Sequence, residues 1–326
     1  MNPIRVVHYG LGPIGVGIAK EVARRSDMQI VGAIDIDPQK VGKDVGALLG
    51  VETPIGVAVT ADAASVLKQG AADIVVLCTS SALKKILPQI EQCARAGINV
   101  ISTCEELAYP PANNADLVAS LDRLAKDSGV TLYGTGVNPG YTMDVLPIIL
   151  TAPCTHVSKV RVERVVDAGK RRLPLQQKVG AGLTVEQFQK RMDDGTVRHV
   201  GLRESVTMIA ESLGWTLSDY KEEVSGVIAQ REVSTPFLVV KAAQVAGVRQ
   251  IGHGFVSGEE LVTLDIQMFV GAEGSRDSVF ITGTPNVNMN IDGGLHGDIA
   301  TAAIVVNSIP RVVAAPPGLL TPNDLP

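Results

Sequence analysis

Two adjacent carboxylates, Glu105 and Glu106, stand in the segment "INVISTCEEL", directly after an apolar run that begins at Ile98. Such a run predicts a buried strand, so the two side chains follow the end of a core element. Burial in an apolar surrounding raises the pKa of a carboxyl group toward neutrality, where it works as a general acid or base. The segment therefore has the chemistry to attract a cation, accept its proton and activate a water molecule.

A structural role is the alternative for each glutamate. A carboxylate in the first turn of a helix is stabilised by the positive end of the helix dipole. Neighbouring residues at the end of a strand tend to point apart, so we do not expect both side chains to face one ligand. The spacing alone leaves open which of the two does chemistry and which begins a helix.

A glycine-rich turn lies near the N-terminus in "HYGLGPIGVG", where Gly10, Gly12 and Gly15 have the spacing G-x-G-x-x-G. In dinucleotide-binding proteins the first glycine permits a tight turn, the second lets backbone approach a pyrophosphate, and the third lets helix and strand pack closely. The turn follows a predicted strand and opens a predicted helix that includes Pro13 and Ile14. It therefore predicts a pyrophosphate site at a helix N-terminus.

Asp35 follows Gly15 by 20 residues and ends the second predicted strand. A carboxylate there accepts hydrogen bonds from the hydroxyls of the adenosine ribose and repels a 2′-phosphate. No arginine follows it directly, so NAD(H) is favoured over NADP(H). Four basic residues leave NADP(H) open: Arg24, Arg25, Lys40 and Lys43.

The elements that position these residues alternate along the first half of the chain. Apolar runs predict strands at 4–10, 28–35, 57–59, 73–79, 99–103 and 130–136, and the segments between them predict helices at 14–25, 61–69, 82–96 and 113–127. Near-continuous apolar strands separated by helices predict a Rossmann-type, doubly wound parallel sheet in an α/β domain.

Ligands of such a sheet lie outside the carboxyl ends of its strands. The small hydroxyl residues Thr79, Ser80 and Ser81 follow one strand, and we expect them to contact the cofactor near the nicotinamide ribose. Asn138 follows the last strand in "GVNPGY" and is expected at the same end of the cofactor. The alternative for Asn138 is a purely structural turn, which "NPG" also favours.

The second half of the chain has a different pattern. Longer alternating β segments run from 159 to about 284, with helical patterns only at 184–194 and 203–213, which predicts an α+β domain on a mixed or antiparallel sheet. A helical pattern at 296–309 is expected to return to the first domain, followed by a Pro-rich extended arm. We predict a dinucleotide-binding domain at 1–145, a substrate-binding and dimerisation domain at 146–294, and the C-terminal helix and arm at 295–326.

Composition argues against several classes of partner. The formal net charge is -5 without a basic block, so we expect no nucleic-acid partner. No apolar run reaches the roughly 20 residues of a membrane helix, and no signal-peptide pattern is present, so we expect a cytoplasmic protein. The cysteines lack CxxC spacing and predict neither a metal nor a disulfide: Cys78, Cys93, Cys104 and Cys154.

Four segments together resemble a known family: "GLGPIG", "STCEELAYP", "GTGVNPGYTMDVLP" and "GGLHGDIATAAIVVNSIPRV". They are similar to the 2,4-diaminopentanoate dehydrogenases and the related NAD(P)-dependent native amine dehydrogenases, in the dihydrodipicolinate-reductase-like superfamily. The resemblance covers nearly the whole chain, and "CEEL" and "GVNPG" are its specific parts. The chain departs from true dihydrodipicolinate reductases because it has no His-His pair.

The resemblance implies NAD(P)-dependent oxidative deamination of an amine or diamino acid and, in reverse, reductive amination of a ketone or aldehyde with ammonia. It implies that Glu105 acts on the amine, with Glu106 as the fallback. The sheet-rich second domain suggests a homodimer, by analogy. The residues that the resemblance implies for the substrate pocket are Asn138, Pro139, Tyr141 and His199, of which His199 is alternatively a surface residue at a helix start.

The chemistry of an amine agrees with a carboxylate at this place. An alkylammonium has a pKa of about 10.4 and cannot release hydride from its carbon while protonated. A carboxylate attracts the ammonium, takes its proton and later activates water, whereas a hydroxyl substrate needs no negative group. Two alternatives remain: an NAD(P)-dependent enzyme acting on a hydroxyl or carbonyl compound, and a non-catalytic nucleotide-sensing protein.

Overall fold

The computed structural model describes residues 2–325. The chain forms two compact units. One holds the chain up to Tyr141 and again from His296, and the other holds Thr142–Leu295. The domain boundaries predicted from the sequence fall after residues 145 and 294, whereas the two units divide after residues 141 and 295.

The first unit begins with alternating strands and helices, as the apolar runs predict. Its elements up to Tyr141 are β1 (Ile4–Tyr9), α1 (Pro13–Ala23), β2 (Met28–Ile34), α2 (Val45–Leu49), β3 (Val59–Thr60), α3 (Ala63–Val66), β4 (Ile74–Leu77), α4 (Leu83–Arg95), β5 (Asn99–Ser102), α5 (Glu105–Ala108), α6 (Ala115–Ser128) and β6 (Thr131–Gly134). Strands β4 and β6 bury all their side chains, as expected of strands covered on both faces.

The second unit is built on a mixed sheet. Its elements are α7 (Val145–Leu150), β7 (His156–Asp167), α8 (Leu173–Lys178), α9 (Val185–Asp193), α10 (Leu202–Ser212), β8 (Asp219–Ile228), β9 (Val233–Ser234), β10 (Val239–Val240), β11 (Val245–Val256), β12 (Glu259–Phe269), β13 (Arg276–Thr284) and β14 (Val287–Asp292). The six-stranded sheet has the order β14-β13-β7-β12-β11-β8. Only β7 and β12 run parallel, so the sheet is mixed.

Helix α10 packs on one face of this sheet, against β11 and β12. The helix buries Val206 and Ile209 in the same core as Val262 and Leu264 of β12. The opposite face presents mainly polar side chains, because residues alternate between the two faces of a strand. The exposed aromatic ring of Phe280 lies on that opposite face.

The chain then returns to the first unit through α11 (Gly297–Ala314) and β15 (Gly318–Leu320). Helix α11 packs on α1. Of the helices in the described residues 2–325, α11 is the one with the length and hydropathy to cross a membrane. Its residues Val305, Ile309 and Val312 are wholly buried, as in a core helix of a globular unit.

The arm after α11 was expected to be extended and not part of a folded element, which is wrong for residues 318–320. Strand β15 pairs in parallel with β6, with Gly318 opposite Thr131, and completes a seven-stranded sheet of order β15-β6-β5-β4-β1-β2-β3. Asp122 also accepts a hydrogen bond from the Leu319 amide at 3.3 Å. The physical reason is that β6 would otherwise expose its unpaired backbone groups at the sheet edge. The predicted fold class, a doubly wound parallel sheet with a second α+β domain, is confirmed.

Candidate active site

The glycine-rich turn has the geometry of a pyrophosphate site. Gly10 has a φ of +92°, and a Cβ there would lie 2.6 Å from the Cys78 carbonyl oxygen. A Cβ on Gly15 would lie 2.0 Å from the Gly10 carbonyl oxygen, so strand and helix meet as closely as glycine allows. At Gly12, the N-cap of α1, a Cβ would meet nothing within 4 Å. The backbone at the start of α1 is therefore open to a phosphate group.

Asp35 lies against the same turn. Its carboxylate accepts hydrogen bonds from the Leu11 amide at 2.7 Å and the Asp37 amide at 2.9 Å, and Lys40 Nζ lies 3.2 Å away. Burial alone would raise the pKa of Asp35, but the two amides and the Lys40 ammonium together lower it. Asp35 is therefore an ionised acceptor beside the phosphate turn, which fits a ribose hydroxyl.

The four basic residues that left NADP(H) open are not equivalent. Arg24 pairs with Glu21, and Arg25 pairs with Asp27. Lys43 is exposed. Among these four residues, Lys40 is the one that forms an ion pair with Asp35.

The side chains of Thr79 and Ser80, which follow β4, each have a partner in or just before α4. Thr79 Oγ1 donates to Gln89 Oε1 at 2.5 Å. The Ser80 hydroxyl accepts from the Ala82 amide at 3.2 Å, just before α4. Because Thr79 bonds to α4 and Ser80 to the residue before α4, these two side chains help to hold the backbone between β4 and α4.

Glu105 begins the short helix α5 at the end of β5, and it is half-buried. Burial raises the pKa of Cys78 to about 11, and the charge of Glu105 adds to that rise, so the carboxylate lies near the end of β4. Helix α5 rests directly on β6, since a Cβ on Gly134 would lie 2.4 Å from the Leu107 carbonyl carbon. Glu105 is thus held at the same sheet edge as the glycine turn.

Glu106 stabilises a different helix from the one expected. Its Oε2 atom accepts a hydrogen bond from the Leu83 amide at 2.8 Å, at the start of α4, and another from Asn114 Nδ2 at 3.1 Å. The carboxylate therefore lies at the N-terminus of α4 instead of its own short helix α5. Neither Asn114 nor this contact is recognisable in the sequence, because the partners are 8 and 23 residues away.

The turn after β6 brings Asn138 to the same edge of the sheet. Asn138 is 7% exposed, and its bond to Pro139 is cis. Gly140 has a φ of +124° and is packed against Thr135, which folds the "GTGVNPG" segment tightly. Thr301 of α11 accepts a hydrogen bond from the Val137 amide at 3.2 Å. No site role was predicted for Thr301 from the sequence, although a polar residue on the apolar face of a helix is a signal.

The predicted site residues fall into two groups. The glycine turn, Asp35, the 79–81 turn, the glutamates and the 138–141 turn all belong to the first unit, at the carboxyl ends of its strands. His199 belongs to the second unit, in the loop before α10. Its backbone amide donates to Gln250 Oε1 at 2.7 Å, and its carbonyl accepts from Gln250 Nε2 at 2.9 Å. This loop is therefore anchored to β11 of its own unit.

Two family models match the chain. The model described as the 2,4-diaminopentanoate dehydrogenase C-terminal domain matches residues 141–326, and that of the dihydrodipicolinate reductase N-terminus matches residues 4–104. The chain belongs to the 2,4-diaminopentanoate dehydrogenase family. The family predicted from "CEEL" and "GVNPG" is confirmed.

Relatives of this family align along the full chain. A 2,4-diaminopentanoate dehydrogenase from Acetoanaerobium sticklandii is 36% identical and covers 100% of this chain and 94% of its own length. An amine dehydrogenase from Streptomyces virginiae is 24% identical over 99% of this chain and 96% of its own. The solved structure of an amine dehydrogenase from Mycobacterium smegmatis superposes with a TM-score of 0.88 at 30% identity, covering 99% of this chain and 96% of that one.

Proposed function

We propose that this protein is an NAD(P)-dependent dehydrogenase of CH-NH₂ substrates, an amine or a diamino acid. The observation that carries the proposal is the half-buried Glu105 at the strand ends that also hold the dinucleotide turn. A carboxylate at that place suits an ammonium substrate. The names of the aligned relatives, 2,4-diaminopentanoate dehydrogenase and amine dehydrogenase, support the same reaction class.

The residues of the first unit fit the cofactor. Gly10, Gly12 and Gly15 with the start of α1 would hold the pyrophosphate, Asp35 the adenosine ribose, and Asn138 the nicotinamide end. When bound, the nicotinamide accepts hydride from the carbon that bears the amine. We propose that NAD(H) is favoured because Asp35 is ionised, and that NADP(H) binds through Lys40.

Glu105 would act as the acid–base group at three points. Its negative charge attracts the substrate ammonium into the site. It then accepts a proton from the nitrogen, which frees the lone pair that assists departure of hydride. After that proton has passed to solvent, the carboxylate takes a proton from the water that attacks the iminium carbon and returns it to the nitrogen of the resulting carbinolamine. The C–N bond then breaks, ammonia leaves, and the remaining hydroxyl proton is lost to solvent as the carbonyl forms. In the reverse direction the same carboxyl group donates these protons.

We propose that the second unit binds the substrate, with His199 among the contacting residues. Pro139 and Tyr141 are the residues of the first unit that we propose as substrate contacts. A diamino acid also needs a cation for its carboxylate. The segment "GKRR" at residues 169–172 is basic, and Arg171 within it is 8% exposed. We propose Arg171 for this role.

We also propose a cytoplasmic homodimer that associates through the second unit. The support is Phe280, which is 37% exposed on the sheet face opposite α10 and contacts Arg161 by a cation–π interaction at 5.9 Å. Exposed aromatic rings among polar side chains are frequent at protein interfaces. Light scattering should give twice the mass of the chain, and Phe280→Glu should shift the protein toward monomer.

The function is tested by reduction of NAD and NADP with a panel of short amines, diamino acids and alcohols. Turnover of amines or diamino acids, with release of ammonia, is expected. Turnover of alcohols alone would favour the hydroxyl or carbonyl enzyme. Cofactor binding without turnover of any substrate would favour the nucleotide-sensing protein.

A further inference from the structure

Helix α4 lacks an N-cap of its own. The residue before it is Ala82, whose side chain has no hydrogen-bonding atom. Helices usually begin with Ser, Thr, Asp or Asn, which accepts a bond from the first free amides. Here the acceptor for the Leu83 amide is Glu106, from the turn after the next strand, at 2.8 Å. The start of α4 therefore depends on the segment that carries Glu105.

The side chain of Asn114 does not make the helix-capping hydrogen bond that its position predicts. It is the N-cap residue of α6, where an asparagine usually bonds to its own helix, yet it makes no side-chain cap there. It is 3% exposed, and its Nδ2 donates to the same Glu106 oxygen at 3.1 Å. One carboxylate oxygen thus joins the starts of three helices, α4, α5 and α6.

The backbone completes this connection. The Glu106 amide donates to the Ser81 carbonyl oxygen at 3.4 Å, and Cys104 Sγ donates to the same oxygen at 3.2 Å. The turns at 79–81 and 104–106 are therefore bonded to each other by backbone as well as side chains. Glu105, the proposed base, and the 79–81 turn, which is expected beside the nicotinamide ribose, therefore lie on segments that are hydrogen-bonded to each other.

We propose that Glu106 and Asn114 are positioning residues, which fix the Glu105 carboxylate relative to the 79–81 turn. The proposal rests on the proposed role of Glu105. The reason for such a device is that a misplacement of about 1 Å between reacting groups costs about 10²-fold in rate. Glu106 and Asn114 act through Glu105 and do not exchange protons with the substrate.

The hydrogen bonds from Leu83 and Asn114 end on the same oxygen of Glu106. The positioning role of Glu106 can therefore be tested separately from its negative charge. In Glu106→Gln the amide oxygen can accept from both Leu83 and Asn114, so the connection survives without the negative charge. In Glu106→Ala both bonds are lost. In Asn114→Ala only one is lost, and the Leu83 amide keeps its acceptor.

The test is a single-turnover measurement on full-length protein loaded with NAD and mixed with excess amine. The rate constant of nicotinamide reduction reports positioning, and its amplitude reports the fraction of folded, loaded enzyme. We expect the rate constant to fall about 10²-fold in Glu106→Ala and about tenfold in Asn114→Ala, and to stay within about threefold in Glu106→Gln. Asp116→Ala is the control, because Asp116 is an exposed acid in the first turn of α6, and its rate constant should not change.

Three outcomes would overturn the proposal. The first is an unchanged rate constant in both alanine variants, whether or not the amplitude falls. The second is a Gln variant as slow as the Ala variant, which would assign the effect to charge. The third is the absence of amine turnover by the wild type, which would overturn the proposed function as well. After either of the first two outcomes, the proposed function still stands or falls with the activity of Glu105→Gln. If Glu106→Ala does not fold, the rate constants of Asn114→Ala and Glu106→Gln test the proposal.

Discussion

The Lys40 ammonium lies 3.2 Å from a carboxylate oxygen of Asp35, and it lies 3.3 Å from Asp37. A lysine between two acids, 24% exposed, keeps a donor available for a further anion. Asp35, which we propose for the ribose hydroxyls, is thus paired with Lys40, which we propose for a 2′-phosphate. Cofactor preference should depend on this pair.

Lys40→Met should weaken binding of 2′,5′-ADP about 10–100-fold, because a charge-assisted contact to the 2′-phosphate is lost. Binding of 5′-AMP should change by less than about threefold. Titration calorimetry with the two nucleotides measures this without any turnover. Lys43→Met is the matched control, since Lys43 is exposed nearby. An equal loss for both nucleotides would place Lys40 elsewhere than at the 2′ position.

Asp35→Ser combined with Ile36→Arg should shift preference toward NADP. Ile36 is 82% exposed, so an arginine there can reach a 2′-phosphate, and the serine removes the repelling charge. The measurement is the ratio of kcat/KM for the two cofactors. A ratio that does not move would mean that Asp35 does not contact the ribose.

Glu105→Gln should lower kcat with amines about 10²–10⁴-fold, because the amide cannot accept a proton. Affinity for NAD should change little, since the pyrophosphate is held by the glycine turn. The acid limb of the wild-type pH–rate profile should disappear in this variant. Near wild-type turnover in both Glu105→Gln and Glu106→Gln would direct the search for the base to His199.

His8 gives the fold a dependence on pH. It is 0% exposed in β1, and neither ring nitrogen has a hydrogen-bond partner among residues 2–325. Burial lowers its pKa from 6.5 to about 4. A lowered folded-state pKa favours the neutral ring, so the stability contribution is complete above pH 6.5 and falls progressively between 6.5 and 4.

Lowering the pH from 7 to 5 should therefore cost about 2 kcal/mol of unfolding free energy at His8. In His8→Leu the loss over this interval should be smaller by that amount, as measured by urea unfolding at both pH values. His156→Leu, at an exposed position, is the control. The same pH dependence in wild type and His8→Leu would count against this origin.

The strands and their ends could be predicted from the sequence, since apolar runs and glycine spacing are local signals. The contacts of Glu106 could not, because the helix that it caps begins at Leu83 and its second partner is Asn114. A sequence pattern shows that Ala82 is a poor cap but does not show what replaces it. Strand β15 was missed for the same reason, since its partner β6 lies more than 180 residues earlier.

The position of Lys40 could be predicted only in part from the sequence. The sequence offered four basic residues near Asp35 without distinguishing them, because the reach of a long side chain depends on the turn that carries it. In the structure, Lys40 follows a turn in which the Lys40 amide donates to the Asp37 carbonyl oxygen at 2.9 Å. That turn brings the lysine back toward Asp35.

The pairing of β15 with β6 has a consequence for the order in which the protein is made. A ribosome synthesises the first 141 residues before any of α11 or β15 exists, so the first unit leaves the exit tunnel with β6 at an open edge. The second unit is continuous in sequence, and all its strands are complete once residue 295 has emerged. The first unit to begin synthesis is therefore the last to be completed, and a chain shortened by its final ten residues would keep that edge exposed.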